Sequence, residues 1–169
     1  MSNVGLVERY FKFLIEDWGF SKHNVHNINS EYSMEYRLAE KDIGVDIDFD
    51  TSACWVIVEI IRLKEGDFPK SWGYYVDDKG KPCRKHLSAI LHEYGIKKMP
   101  ILSNRERKRQ IRKRQKMLRS ISDEESVTIF IASLEEESSL LEENLEFIIQ
   151  NKEEIFKVKE KEVKHRKLP

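Results

Sequence analysis

Apolar side chains near the start of the chain recur at three- and four-residue spacing, which is the period of an α-helix. The stripe consists of Val4, Val7, Phe11, Leu14 and Trp18. The pattern predicts an amphipathic helix with one face in a core. Ser2 or Asn3 can cap its start, and Gly19 can end it in a left-handed conformation.

Further along, apolar residues recur at every second position, which is the period of a β-strand with one buried face. Residues 32–38 follow this pattern, and residues 43–50 repeat it after the short link 40–42, so the two segments are predicted to form a hairpin. Residues 53–63 are mostly apolar on both faces, as in a strand at the middle of a sheet. A further short strand is predicted around residues 72–76.

Two helices are predicted after the strands. Residues 84–94 have apolar residues at helical spacing, and Gly95 follows as a stop. Residues 104–119 are almost wholly basic and polar, so the predicted helix there has little to bury in a core.

A long amphipathic helix is predicted for the C-terminal part. Ser122 begins a capping box, and a seam with alternating spacings of four and three runs from Val127 to Ile155. The β-branched and aromatic residues at 127–131 leave an edge strand open as an alternative to helix. The apolar seam needs a cover, either from the rest of the chain or from a second copy.

These elements predict an α+β fold, in which an N-terminal helix packs on a three- to four-stranded antiparallel meander and a charged C-terminal helical segment follows. We expect an α+β core domain at residues 1–100 and a charged helical extension at residues 101–169. The full length of 169 residues suits one domain with such an extension.

Charge is strongly segregated, although 30 basic and 30 acidic residues cancel. Residues 101–122 hold nine bases and one acid, whereas residues 123–169 hold thirteen acids and seven bases. The two segments can pair as an antiparallel hairpin of helices. If the basic segment is exposed instead, it would bind phosphates. Its positive residues are Arg105, Arg107, Lys108, Arg109, Arg112, Lys113, Arg114, Lys116 and Arg119.

The expected location is the cytoplasm. Cys54 and Cys83 form neither a disulfide framework nor a metal motif, so we expect reduced thiols. The first residues are interrupted by charges and do not follow a signal-peptide pattern. The sequence contains no apolar run of the length that spans a membrane, about 18 residues or more.

One acidic row has the residue types of a metal site. Asp46, Asp48 and Asp50 alternate on one face of a predicted strand, and Glu59 lies on the next strand. Such carboxylates can hold Mg²⁺. Nucleases that use metal-binding sheets follow the glutamate with x-Lys, whereas Glu59 is followed by two isoleucines. We therefore favour an ordinary solvent-facing strand, with no metal, cofactor or catalytic residue.

Other candidate groups are weaker. His23 and His26 lie close together in a predicted loop, but no third or fourth ligand follows at metal-site spacing. Positive neighbours could make Cys83 an acidic thiol, although no oxyanion site accompanies it. Three tryptophans are predicted to lie in the core. They are Trp18, Trp55 and Trp72.

Three parts of the chain carry a resemblance to known proteins. The helix Tyr10–Phe20, the meander after it and the segment Leu140–Ile149 together resemble small bacterial cytoplasmic immunity proteins of polymorphic or contact-dependent toxin systems. The resemblance covers mainly residues 7–63 and 134–156. It implies a non-enzymatic protein that binds a toxin domain and blocks it, and it brings no catalytic residues.

The predicted function is therefore protein binding, in which acidic side chains steer the encounter with a basic partner such as a nuclease toxin. The candidate partner-binding residues are Asp46, Asp48, Asp50, Glu135, Glu136 and Glu137. The alternative is a nucleic-acid-binding accessory protein that uses the basic helix 105–119. That segment lacks the aromatic residues that stack unpaired bases. A metal-dependent nuclease built on Asp46, Asp48 and Glu59 is a third hypothesis.

Overall fold

The computed structural model describes residues 2–28, 30–69, 71–73, 75–77, 79–98, 109, 112–114 and 116–157. The described helices are α1 (Asn3–Tyr10), α2 (Phe13–Glu16), α3 (Leu87–Glu93), α4 (Asp123–Gln150) and α5 (Lys152–Ile155). The described strands are β1 (Ser21–Ile28), β2 (Glu31–Leu38), β3 (Ile43–Asp50), β4 (Trp55–Arg62), β5 (Ser71–Gly73), β6 (Val76–Asp77) and β7 (Arg84–His86). A short 3-10 turn, Ala39–Lys41, connects β2 to β3.

An antiparallel sheet organises the chain, with the strand order β1-β2-β3-β4-β7, while β5 and β6 form a separate hairpin. The predicted α+β class is confirmed. The sheet is larger than the predicted meander because two more strands join its edges. β1 was predicted as a loop, and its residues 21–27 are all exposed, so no apolar alternation marks it. β7 was predicted as the first turn of the helix that begins at Leu87.

The N-terminal helix begins as predicted, since the Ser2 side chain accepts a hydrogen bond from the Gly5 backbone N–H at 3.2 Å. It is interrupted after Tyr10 and resumes at Phe13 as α2. Because of this break, Phe11 and Phe13 are both buried in the core. On one continuous helix, two residues at this spacing would point to nearly opposite sides. Gly19 then ends the segment with φ +73°.

Helix α4 packs on one face of the sheet and belongs to the main core. The strands contribute Met34, Tyr36, Ile43, Val45, Ile47, Phe49, Val56, Val58 and Ile60, and the helix contributes Phe130, Leu134, Leu141, Leu145 and Ile148. The segment predicted as an extension is therefore continuous with the core of residues 1–100. The middle of the predicted seam is covered by the chain's own sheet.

The start of α4 includes the segment for which the sequence left helix and edge strand open. Residues 127–131 are helical, as favoured, and the predicted capping box joins Ser122 to Glu125. Val127, the first residue of the predicted seam, is 54% exposed, whereas Phe130, which is not part of that seam, is buried. The seam thus turns away from the sheet at its N-terminal end.

Candidate ligand-binding site

The other face of the sheet carries a polar row with one residue from each strand. Its register runs from Asn24 to Glu35, Asp46, Glu59 and His86. Side chains directly opposite each other on neighbouring strands have Cβ atoms about 5 Å apart. The register therefore brings three acidic residues, Glu35, Asp46 and Glu59, side by side on the inner strands of the sheet. We call these five residues the polar row.

Arg84 on β7 bridges the two carboxylates at the centre of the polar row. Its Nη1 lies 2.6 Å from Asp46 Oδ2 and 2.7 Å from Glu59 Oε2. Asp46 is 2% exposed and Glu59 is 0% exposed. Burial works against the charged guanidinium, but the two carboxylates outweigh it and raise the pKa of Arg84. The Ser33 hydroxyl donates to Asp46 Oδ1 at 2.6 Å, so both Asp46 oxygens accept hydrogen bonds.

Glu59, His86 and Tyr75 form a second connected group. His86 Nδ1 lies 3.1 Å from Glu59 Oε1, yet neither atom makes a hydrogen bond within the described part of the chain. His86 Nε2 lies 2.8 Å from the Tyr75 hydroxyl. An acid, a histidine and a hydroxyl in series can activate a nucleophile. Here, burial, together with Glu59 and Asp48, raises the pKa of Tyr75 although Arg84 opposes it, so the phenol stays protonated at neutral pH.

A cavity of 460 Å³ opens beside the polar row. It is lined by His26, Glu31, Tyr32, Ser33, Asp48, Trp55, Ile57, Tyr75 and His86. Part of the lining is a second register row, in which Asp48 lies between Ser33 and Ile57 and Ser33 is paired with His26. The cavity therefore combines carboxylates with aromatic rings. Trp55, which was predicted in the core, is partly buried and lines this cavity instead.

Three carboxylates approach the geometry of a metal site. Asp46, Asp48 and Glu59 each place one oxygen within 4.8 Å of the others. The Arg84 guanidinium already bridges Asp46 and Glu59, so a divalent ion would compete with it for the same oxygens. The arrangement acts chemically as a binding site for a guanidinium.

Two of the three aspartates predicted to contact a partner are buried. Asp46 belongs to the polar row, and Asp50 is 7% exposed. Asp50 Oδ1 accepts hydrogen bonds from the backbone N–H groups of Ser52 at 2.8 Å and Ala53 at 3.0 Å, which shapes the turn after β3. The expected open acidic strand face is therefore corrected: of these three residues, Asp48 alone lines the cavity.

The second predicted acidic group lies on the opposite side of the sheet. Glu135 accepts a hydrogen bond from Tyr10 at 3.1 Å, and Glu136 pairs with Lys97 at 2.7 Å. Burial raises the pKa of Glu137 to about 7, with Glu136 adding to the effect and Lys97 opposing it. Since α4 covers the core face, these glutamates and Asp48 do not form one continuous surface.

The basic segment is described only in part. Arg109, Arg112, Lys113 and Arg114 are exposed. Arg105, Arg107 and Lys108 lie outside the described residues. Within the described ranges, no ion pair joins this segment to the acidic residues of α4, which differs from the favoured antiparallel pairing. Arg114 instead donates a hydrogen bond to the Cys54 backbone carbonyl.

The remaining candidate residues, the two cysteines and His23, are packed against other parts of the fold. Cys54 and Cys83 are both free and buried. Burial, with Asp77, raises the pKa of the Cys83 thiol despite nearby Arg84, so Cys83 is not the acidic thiol considered from sequence. His23 stacks on Phe68 with ring centroids 5.0 Å apart.

Three site residues were missed because their positions depend on β7 and on the β5–β6 connection. Arg84 and His86 were placed on a helix, and Tyr75 in a short strand. One sequence signal points to Arg84: two acids on inner strands need a buried cation nearby. Which basic residue supplies the cation depends on the strand pairing.

Comparison with known proteins gives no match. No protein-family model, no curated protein and no solved structure is significantly similar to the chain. None of the helices within the described ranges has the length and apolar character needed to cross a membrane.

Proposed function

We propose that the protein is a non-enzymatic binding module that recognises a basic partner protein through the cavity, in the manner of an immunity-type inhibitor. The observation that carries this proposal is an acidic cavity with an aromatic lining. Asp48 and Glu31 supply carboxylates, and Trp55 and Tyr75 supply rings. Tyrosine and tryptophan are enriched among the residues that contribute most to binding at protein interfaces.

Electrostatics supports a basic partner. Asp46, Asp48 and Glu59 lie close together, and Arg84 pairs with Asp46 and Glu59, so these four described side chains have a negative formal charge in sum. A negative cavity attracts a positive surface and speeds its association. The two buried acids contribute to this potential without touching the partner, whereas Asp48 makes the contact.

The ion pairs and the protonation of the same residues support binding over catalysis. Asp46 and Glu59 are held by Arg84, so neither is available as a general base without breaking an ion pair. Tyr75, the hydroxyl of the connected group, has a raised pKa and remains protonated at neutral pH. A nucleophile requires the opposite shift.

The test compares the wild-type protein with Asp48→Asn as bait in native host extract. Proteins retained only by the wild type are then purified, and their binding is measured by calorimetry at increasing salt. We expect one basic partner with 1:1 stoichiometry, weaker affinity at high salt and loss of its activity in the complex. An acidic partner, or equal retention by both baits, would contradict the proposal.

A second candidate function is nucleic-acid binding, and the exposure of the described basic residues favours it. Arg109, Arg112 and Lys113 are exposed and have no ion pair within the described part of the chain. Neutralising these three residues should abolish binding to DNA or RNA, and the affinity should fall steeply with salt. Fluorescence anisotropy with labelled oligonucleotides measures this. No affinity at low salt excludes this candidate.

A further inference from the structure

We propose that the cavity is a guanidinium pocket, which accepts one arginine side chain of the basic partner. This inference rests on the proposed function and adds which chemical group enters the cavity. Asp48 pairs with the incoming guanidinium, and Trp55 and Tyr75 provide the aromatic surface on which it stacks.

The cavity is large enough for one projecting side chain and too small for a helix. Its volume is 460 Å³, which lies in the lower part of the range of about 300–1,000 Å³ for small-ligand sites. An α-helix with its side chains is roughly 10–12 Å across and needs a groove instead. We therefore expect the partner to insert one projecting residue as an anchor at the centre of the interface.

The charge of the cavity selects a cation. Asp46, Asp48 and Glu59 bring three carboxylate oxygens within 4.8 Å of one another, and Arg84 pairs with Asp46 and Glu59. Glu31 adds another carboxylate to the lining. An anionic side chain entering here would meet like charges, whereas a cation is attracted.

The chain itself shows how this surface binds a guanidinium. Arg84 lies 2.6 Å from Asp46 and 2.7 Å from Glu59, on the same face of the sheet as Asp48. A partner arginine at Asp48 would repeat this contact in the neighbouring row. Behind the cavity wall, His86 Nδ1 faces the buried Glu59 Oε1 at 3.1 Å.

Arginine fits this lining better than lysine does. The planar guanidinium stacks on aromatic rings and is weakly hydrated, so it enters a partly buried aromatic site at a smaller desolvation cost. The ammonium group of lysine is a compact and strongly hydrated charge. Citrulline has nearly the same shape as arginine but no charge, so it separates shape from electrostatics.

The experiment uses three blocked amino acids as probes: N-acetyl methylamides of arginine, lysine and citrulline. Each is titrated at pH 8, where imidazoles are normally neutral, and the indole N–H signal of Trp55 is followed by ¹H–¹⁵N NMR. We expect a saturable shift with arginine, a several-fold weaker affinity for lysine and no saturable shift with citrulline.

Two variants locate the binding. Asp48→Asn should weaken arginine binding about tenfold or more, because a hydrogen bond to a charged group contributes roughly 1.5–3 kcal/mol. Glu142→Gln, at an exposed position on α4 across the sheet, should leave it unchanged. No saturable shift with arginine, equal binding of citrulline, or an unaltered affinity in Asp48→Asn would overturn the inference.

The two proposals fail separately. If a basic partner binds in the capture experiment and blocked arginine does not bind, the protein-binding function stands and the guanidinium pocket is wrong. If blocked arginine binds at Asp48 and no basic partner is found, the pocket stands and the proposed function is wrong.

Discussion

Arg84 Nη1 lies 2.7 Å from Glu59 Oε2, and this ion pair joins the short strand β7 to a carboxylate that has no exposed surface. β7 contributes three residues to the sheet, and among the described strands their backbone pairs with β4 alone. The side-chain pair therefore adds a strong contact at an edge where the hydrogen-bond ladder is short. It also supplies the positive charge that permits Asp46 and Glu59 to lie side by side.

Removal of this charge should destabilise the fold strongly. We expect Arg84→Met to lower the free energy of unfolding by about 3–5 kcal/mol, because it leaves two buried carboxylates without a counter-ion. Urea denaturation at pH 7 measures this loss. Mg²⁺ should raise the Tm of Arg84→Met and leave that of the wild type unchanged, since the freed oxygens of Asp46 and Glu59 then become metal ligands.

A matched control is the adjacent residue Lys85, whose ion pair with Glu93 is partly exposed. Lys85→Met should lower the free energy of unfolding by no more than about 1 kcal/mol. Equal losses in Arg84→Met and Lys85→Met would show that the buried ion pair has no special role.

Glu137 should make stability depend on pH. Its pKa is raised from 4.5 to about 7 by burial, so between these values the native state holds a proton that the unfolded state has released. Stability therefore falls as the pH rises through this window. Glu137→Gln should remove that slope and should gain stability relative to the wild type most clearly above pH 7.

Thermal unfolding between pH 4 and pH 8 provides the measurement for this prediction. Glu142→Gln is the control, because Glu142 is an exposed glutamate on the same helix and does not contribute to the raised pKa of Glu137. If the wild type and Glu137→Gln show parallel curves of Tm against pH, then Glu137 does not titrate in this window.

Helix α4 should be indispensable to the core. Leu145 is fully buried in the cluster that includes the sheet, so Leu145→Ala should cost about 2–5 kcal/mol of stability. Val127, on the same predicted seam, is 54% exposed, and Val127→Ala should cost less than about 1 kcal/mol. Chemical denaturation compares the two. Similar costs would mean that α4 does not pack as described.

The two cysteines should be unreactive in the native state. Cys54 and Cys83 are buried, and burial raises the pKa of each thiol. Iodoacetamide at pH 8 should therefore label neither residue at an appreciable rate until the protein is unfolded. Mass spectrometry of the intact protein counts the labels. Rapid labelling of native Cys83 would restore the possibility of an activated thiol.

Periodicity predicted the elements whose buried and exposed faces differ in sequence. β2 and β3 alternate apolar and polar residues, and the helix that begins at Ser122 carries both a capping box and an apolar seam. The same reasoning did not find β1, because its side chains at residues 21–27 are exposed and its backbone pairing with β2 keeps it in the sheet. An edge strand that is held by backbone hydrogen bonds does not need alternating apolar side chains, so periodicity does not predict it.

The α+β class, the central hairpin, the helices at both ends and the acidic row on β3 can be predicted from the sequence, because they depend on contacts within short segments. The burial of Asp46 beside Glu59, the Arg84 guanidinium that bridges both, and the meeting of Asp48, Trp55 and Tyr75 at one cavity arise only in the folded sheet. These side chains come from separate strands and from the hairpin connection, and strand register decides which of them meet. Register depends on the packing of the whole sheet, and so does the site.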